Sequence, residues 1–146
     1  MVTAVPKYLL AILILALPAC AKDEPKAKDT AAETMAKAEL PTISVDELAT
    51  LIADGKGAAV DANLSTVRSR QGRIPGAILL SDFAEYDLRE LPDDRARKLV
   101  FYCANEKCGA SHAAAEKAKV AGWTDVRVLP AGIVGWKSAG KETRSL

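Results

Sequence analysis

From residue 41 onward, short apolar runs alternate with helical segments. Glu47, three residues after Ser44, completes a capping-box pattern that starts one helix, and an alanine-rich segment at 111–121 predicts another with Ser111 as its N-cap. A further short helix is predicted at 82–91. Four runs have the length of buried strands: 58–61, 78–80, 99–102 and 126–129. This order predicts an α/β domain with a central, mostly parallel sheet that helices cover on both faces.

Cys103 directly follows Leu99–Tyr102, the strongest strand signal in the chain. In parallel α/β sheets, ligands bind beyond the carboxyl ends of the strands. A loop that curls into a helix N-terminus also directs backbone amides inward, and these amides and the helix dipole favour a thiolate. Cys103 is therefore a candidate nucleophile, although a small buried residue that merely ends a strand fits the same pattern.

The composition limits the possible partners and cofactors. Hydrophobic residues make up 49% and charged residues 27% of the chain, as in globular proteins. The formal net charge of +1 gives no basic field for nucleic acid. A zinc site needs about four ligands, which three scattered cysteines and the single histidine, His112, do not supply. The sequence therefore predicts no metal, no cofactor and no nucleic-acid partner.

The N-terminus reads as a targeting segment. Residues 1–20 hold Lys7 and then an apolar run, Leu9–Leu17, which is shorter than the roughly 20 residues that span a bilayer. The run ends in Leu17-Pro18-Ala19-Cys20, which resembles the lipobox of bacterial lipoproteins. That resemblance implies lipidation of Cys20, a membrane anchor, and a location in the periplasm or cell envelope. An ordinary cleaved signal peptide is the alternative.

The segment at 21–40 alternates charged residues with alanines and carries no sustained apolar stripe. It predicts a flexible charged tether between the anchor and the folded domain. The predicted domain then occupies residues 41–146.

Several motifs of this domain stand in the order found in one known family. Val60-Asp61 ends the first strand, Gly72–Ala77 reads Gly-Arg-Ile-Pro-Gly-Ala, and Leu99–Cys103 leads into the loop. The helix Ser111–Gly122 follows, and Leu129–Trp136 closes the pattern. Together they resemble the single-domain rhodanese-like sulfurtransferases.

The resemblance implies a specific chemistry for Cys103. Its thiolate would take the sulfane sulfur of a donor such as thiosulfate, become a persulfide, and pass the sulfur to a thiol or a cyanide-like acceptor. The loop that follows would bind the persulfide and the anionic donor through its amides. That loop consists of Ala104, Asn105, Glu106, Lys107, Cys108, Gly109, Ala110 and Ser111.

The loop departs from the family pattern. The usual sulfurtransferase loop has six residues, with an arginine just before the serine, whereas eight residues precede Ser111 here and Ala110 takes the arginine's place. Asn63 and Arg73 replace the arginine and histidine usual in the earlier motifs. Phosphatase-like relatives also have a longer loop but hold phosphate with the missing arginine, so its absence argues against phosphatase activity.

Cys108 gives the loop a second thiol, with four residues between it and Cys103. A curled loop can bring two such Cα atoms within the roughly 7 Å that a disulfide needs, and exported compartments are oxidising. Three interpretations stay open. Cys103 carries a persulfide that Cys108 resolves as a protective disulfide; the pair exchanges with a redox partner; or a structural disulfide staples a catalytically degenerate domain that only binds.

Overall fold

The computed structural model describes residues 39–146. The predicted signal peptide with Cys20, and the tether up to residue 38, lie outside the described residues. Among the described residues, no helix is both long and apolar enough to cross a membrane. The elements in chain order are α1 (Val45–Ala53), β1 (Gly57–Asp61), α2 (Ser65–Gln71), β2 (Ile78–Leu79), a 3₁₀ turn (Leu88–Glu90), β3 (Lys98–Tyr102), α3 (Ala110–Val120), β4 (Val126–Leu129) and α4 (Gly132–Ser138).

The four strands form one parallel sheet in the order β2-β1-β3-β4. Asp61 pairs with Tyr102, and Tyr102 pairs with Leu129, so the last residues of the three longest strands lie side by side. The predicted α/β fold with a parallel sheet is therefore confirmed, and its carboxyl edge is where Cys103 emerges.

Side chains alternate between two cores because successive strand residues point to opposite faces. On one face, Val60, Leu99 and Phe101 pack against the alanines of α3. On the other face, Val100 packs with Leu48 of α1 and with Ile133 and Trp136 of α4. Helices thus cover both faces of the sheet, as predicted.

Two local predictions need correction. Residues 82–87 are irregular and only Leu88–Glu90 forms a 3₁₀ turn, because the Asp82 carboxylate accepts the Ala84 and Glu85 amides and holds a turn instead of a helix. Helix α3 begins at Ala110 with Gly109 as its N-cap, so Ser111 lies inside the first turn rather than at the cap.

The packed domain also includes Leu40, the last residue of the predicted tether. Leu40 is buried in the core on the α3 face. The next residue, Pro41, accepts a backbone hydrogen bond from Val128 of β4. Residue 40, which the sequence assigned to the tether, therefore packs with the domain.

A buried polar network fixes the carboxyl edge of the sheet. The Tyr102 hydroxyl donates to the Asp61 carboxyl group at 2.8 Å and accepts the Ile74 amide at 3.1 Å. Asn63 donates to the other Asp61 oxygen through both its backbone amide and its side chain. Arg68 of α2 donates to the Asp61 carbonyl, and its Nε lies 3.4 Å from the Asp61 carboxyl group. The network joins β1, α2, the 72–77 turn and β3.

We expect Tyr102→Phe to lower the free energy of unfolding by about 2–4 kcal/mol, because it leaves one oxygen of the Asp61 carboxyl group, Oδ2, and the Ile74 amide without their hydrogen-bond partner in the interior. Tyr86→Phe is the matched control. The Tyr86 hydroxyl donates only to the Ala114 carbonyl of α3, so its loss should cost about 1 kcal/mol. Urea unfolding measures both; equal losses would contradict the role given to Tyr102.

Candidate active site

Cys103 is the first residue after β3 and is buried. Helix α4 holds this point of the chain, since the Ile133 and Val134 amides donate to the carbonyls of Cys103 and Ala104 at 2.9 and 3.0 Å. This close packing of α4 against the loop requires glycine at position 132. Gly132 has a φ of +57°, and a Cβ there would lie 2.5 Å from the carbonyl oxygens of both Cys103 and Ala104. The closing motif of the sequence therefore positions the loop.

The Cys103 sulfur lies among three groups of the loop and of α3. Its Sγ is 3.0 Å from the Cys108 carbonyl oxygen, 3.3 Å from the Ser111 hydroxyl and 4.0 Å from the Asn105 carbonyl oxygen. The Ser111 amide also donates to this sulfur. Ser111 thus contacts Cys103 from within the first turn of α3 instead of capping the helix.

These surroundings favour the thiol form of Cys103 over the thiolate that the sequence led us to expect there. Burial raises the pKa of the Cys103 thiol, and a hydrogen bond with the Cys108 side chain raises it further, which outweighs the opposite effect of Ser111. The carbonyl contacts add a physical reason, because a carbonyl oxygen accepts a thiol proton and repels a thiolate. The helix N-terminus does reach Cys103, but its influence is smaller than that of burial.

The amide-rich environment serves Cys108 instead. Burial disfavours ionisation of the half-buried Cys108, but hydrogen bonds from the Cys103 side chain and from the Ala104 and Ala110 amides outweigh it. The pKa of Cys108 is therefore lowered from its ordinary value, so Cys108 is the more acidic thiol of the pair. Both cysteines are free thiols in this structure.

The rest of the loop is exposed to solvent. The Cys108 amide donates to the Asn105 carbonyl at 3.0 Å, and the Lys107 amide donates to the Asn105 side chain at 3.1 Å, which closes a tight turn. Glu106 and Lys107 project from this turn and are exposed. A cleft of about 350 Å³ lies beside it, lined by Asn105, Glu106, Lys107, Ala131, Val134 and Gly135.

His112 takes no part in this site. It is exposed and lines a separate cavity together with Glu39, Leu40 and Glu116. Across residues 39–146, no group of three or more histidine, cysteine or acidic side chains is placed to hold a metal ion.

Three residues of the buried network were not anticipated from the sequence. The segment 62–73 reads as a polar loop or a turn of helix, yet Asn63 and Arg68 are buried within it. Tyr102 reads as an apolar strand residue, yet its hydroxyl bridges two elements. The acid at the end of β1 was the available signal, because a buried carboxyl group requires donors nearby.

Comparison with known proteins agrees with this architecture. The profile of the rhodanese-like domain matches residues 44–139, most of the chain, so the chain belongs to the rhodanese-like family. No curated protein is significantly similar in sequence.

Solved structures share the fold at low sequence identity. The human single-domain sulfurtransferase TSTD1 is 23% identical, with 67% of this chain and 96% of that chain covered and a TM-score of 0.54. The rhodanese-like domain of the Anabaena protein Alr3790 is 20% identical, with 73% and 80% covered and a TM-score of 0.60. RPA3614 of Rhodopseudomonas palustris, of unknown function and described as a possible tyrosine phosphatase, is 23% identical, with 71% and 84% covered and a TM-score of 0.58. At these identities the likeness establishes the fold.

We expect limiting iodoacetamide near neutral pH to alkylate Cys108 before Cys103. Cys108 is more exposed and its pKa is lower, so it holds a larger thiolate fraction at any pH below the ordinary thiol pKa. Peptide mass spectrometry of partly alkylated protein measures the order, with urea-unfolded protein as the control in which the difference should shrink. Preferential labelling of Cys103 in the folded protein would contradict the assignment.

Proposed function

We propose that this protein is a rhodanese-type sulfurtransferase that moves sulfane sulfur through a persulfide on Cys103. The observation that carries the proposal is the position of Cys103 at the carboxyl edge of a rhodanese-like sheet, with the Ser111 amide and hydroxyl directed at its sulfur. The description of TSTD1 as a sulfurtransferase is consistent with it.

The reaction has two displacement steps. The Cys103 thiolate attacks the outer sulfur of thiosulfate, a new S–S bond forms on Cys103, and sulfite leaves with the electron pair of the broken S–S bond. A thiol or cyanide-like nucleophile then attacks the outer sulfur of the persulfide and regenerates the Cys103 thiolate. Covalent catalysis divides the transfer into two easier reactions, and no cofactor is required.

The donor site differs from that of relatives with a loop arginine. Ser111 supplies two hydrogen-bond donors to the reacting sulfur. We place the sulfonate end of the donor in the cleft that Asn105, Glu106 and Lys107 line. Lys107 lines that cleft with its exposed ammonium group, which attracts an anion as a point charge without the bidentate grip of a guanidinium. We therefore expect weak binding of thiosulfate.

With thiosulfate as donor and cyanide as acceptor, we expect the reduced protein to form thiocyanate and Cys103→Ser to fall to the background rate, because the persulfide has no other attachment point. Colorimetric detection of thiocyanate measures both. Cys20→Ser is the matched control, since it removes a cysteine of the predicted signal segment and should keep the activity. Thiocyanate formation by Cys103→Ser at the wild-type rate would refute the proposed role.

Dithiol exchange is the second candidate function. The hydrogen bond between the two side chains and the lowered pKa of Cys108 are what a dithiol–disulfide couple requires. A protein that releases no sulfite from thiosulfate and forms no thiocyanate, but oxidises readily to a Cys103–Cys108 disulfide, would fit this function or that of a catalytically degenerate binding module.

We also propose that the protein is exported and held in the cell envelope by lipid on Cys20. Support comes from the apolar run and from Leu17-Pro18-Ala19-Cys20 alone. Two lipid attachments on the new N-terminal cysteine would give a stable anchor. In such an oxidising compartment, the state of the loop thiols would depend on a supply of reductant.

In bacteria that process lipoproteins, we expect the full chain to fractionate with membranes and to begin at an acylated Cys20. Cys20→Ser should move most of it to the soluble fraction, because the attachment point is lost, whereas Cys108→Ser should stay with the membrane. Immunoblots of the fractions and mass spectrometry of the N-terminal peptide measure the outcome. A wild-type protein with an unmodified Cys20 would refute the anchor.

A further inference from the structure

The two loop thiols are in contact but are not equivalent. Cys103 is buried, whereas Cys108 is half-buried and lies at the end of the exposed turn. Each side chain influences the pKa of the other, which is raised for Cys103 and lowered for Cys108. The backbone of residue 108 also touches the other sulfur, with the Cys108 carbonyl oxygen 3.0 Å from Cys103 Sγ.

The loop itself holds Cys108 against Cys103. The turn closed by the Asn105 carbonyl and the Cys108 amide folds residue 108 back over the start of the loop. The Asn105 side chain braces the same turn through the Lys107 amide. The beginning of α3 fixes the other side, where the Ala113 amide donates to the Gly109 carbonyl. Thus the folded loop already places Cys108 next to Cys103.

The surroundings of Cys103 stabilise a negatively charged persulfide poorly. The carbonyl oxygens of Cys108 and Asn105 face its sulfur, and Ser111 provides the only loop or helix donors described there. The loop contains no arginine to neutralise the anion. By contrast, the Ala104 and Ala110 amides stabilise negative charge on Cys108. A charged sulfur is thus held better at residue 108 than at residue 103.

We propose that Cys108 is a second catalytic cysteine, which discharges the Cys103 persulfide within the loop and releases hydrosulfide. This inference rests on the proposed function, because it needs the persulfide as its substrate. It differs in the final acceptor, which is a residue of this chain rather than an external nucleophile.

The step balances without another reactant. The Cys108 thiolate attacks Cys103 Sγ, a Cys103–Cys108 disulfide forms, and the bond to the outer sulfur breaks. That sulfur leaves with the electron pair and takes up the proton that the Cys108 thiol lost on ionising, so it is released as hydrosulfide. The sulfane sulfur is reduced by two electrons, and the two cysteine sulfurs are oxidised by one each. An external dithiol must then reduce the disulfide by exchange before the next turnover.

The test is a single turnover without acceptor. The purified full chain is reduced, freed of reductant without exposure to air, and mixed with thiosulfate, and sulfite, hydrosulfide and free thiols are measured. We expect sulfite and hydrosulfide in equal amounts, about one of each per active chain, with Cys103 and Cys108 recovered as a disulfide. Cys20→Ser should give the same burst, which shows that the third cysteine takes no part.

The Cys108→Ser variant distinguishes formation of the Cys103 persulfide from its discharge by Cys108. It should release sulfite but no hydrosulfide, and its loop peptide should carry one extra sulfur atom on Cys103. Cys108→Ala serves as a second variant, and thermal unfolding checks that both are folded. If neither variant folds, the wild-type protein alone provides the test. In that case hydrosulfide release and disulfide formation should follow the same time course.

Each outcome has a distinct meaning. Wild-type protein that releases sulfite but keeps a stable persulfide would overturn the internal discharge and leave the sulfurtransferase proposal intact. Absence of sulfite release from the wild type would overturn both. Hydrosulfide release by Cys108→Ser equal to that of the wild type would overturn the role of Cys108.

Discussion

The buried carboxyl group of Asp61 is the constraint on which the candidate site depends. A polar group in this interior must have its hydrogen bonds made, and Asn63 and Tyr102 make them from two different segments. Because the Tyr102 hydroxyl also accepts a hydrogen bond from the Ile74 amide, the Tyr102 side chain connects β3 both to β1 and to the 72–77 turn. Cys103 is the next residue. Two features therefore fix the position of Cys103: the polar network around the preceding residue, Tyr102, and the hydrogen bonds from α4 to the carbonyls of Cys103 and Ala104.

In the loop that follows, the orientation of backbone amides and carbonyls determines which thiol ionises more easily. Amides favour a thiolate and carbonyls disfavour one. In this loop the Ala104 and Ala110 amides donate to Cys108, while the Cys108 carbonyl turns toward Cys103. The more acidic thiol of this loop is thus Cys108, five residues after Cys103, and each thiol influences the ionisation of the other.

Much of this architecture was predictable from the sequence because it depends on local patterns. The apolar runs indicated the strands, and the capping box indicated the start of α1. What escaped prediction depends on contacts between distant segments. Ser111 has the sequence context of an N-cap, and only the three-dimensional path of the loop shows that helix α3 starts one residue before it and that its hydroxyl meets Cys103. The burial of Arg68 follows likewise from the carbonyls of Asp61 and Leu80, which no local pattern reveals.

In the proposed reaction, the loop that carries Cys103 and Cys108 passes through three states: dithiol, persulfide and disulfide. If Cys108 discharges Cys103, the persulfide is a short-lived intermediate between the other two. The most direct measurement is the mass of the peptide that carries Cys103 and Cys108, isolated from cells after rapid alkylation, in the wild type and in Cys108→Ser. We predict dithiol and disulfide forms in the wild type and a retained persulfide on Cys103 in the variant. A stable persulfide in the wild type, or no persulfide in the variant under sulfur-donor supply, would contradict the internal discharge.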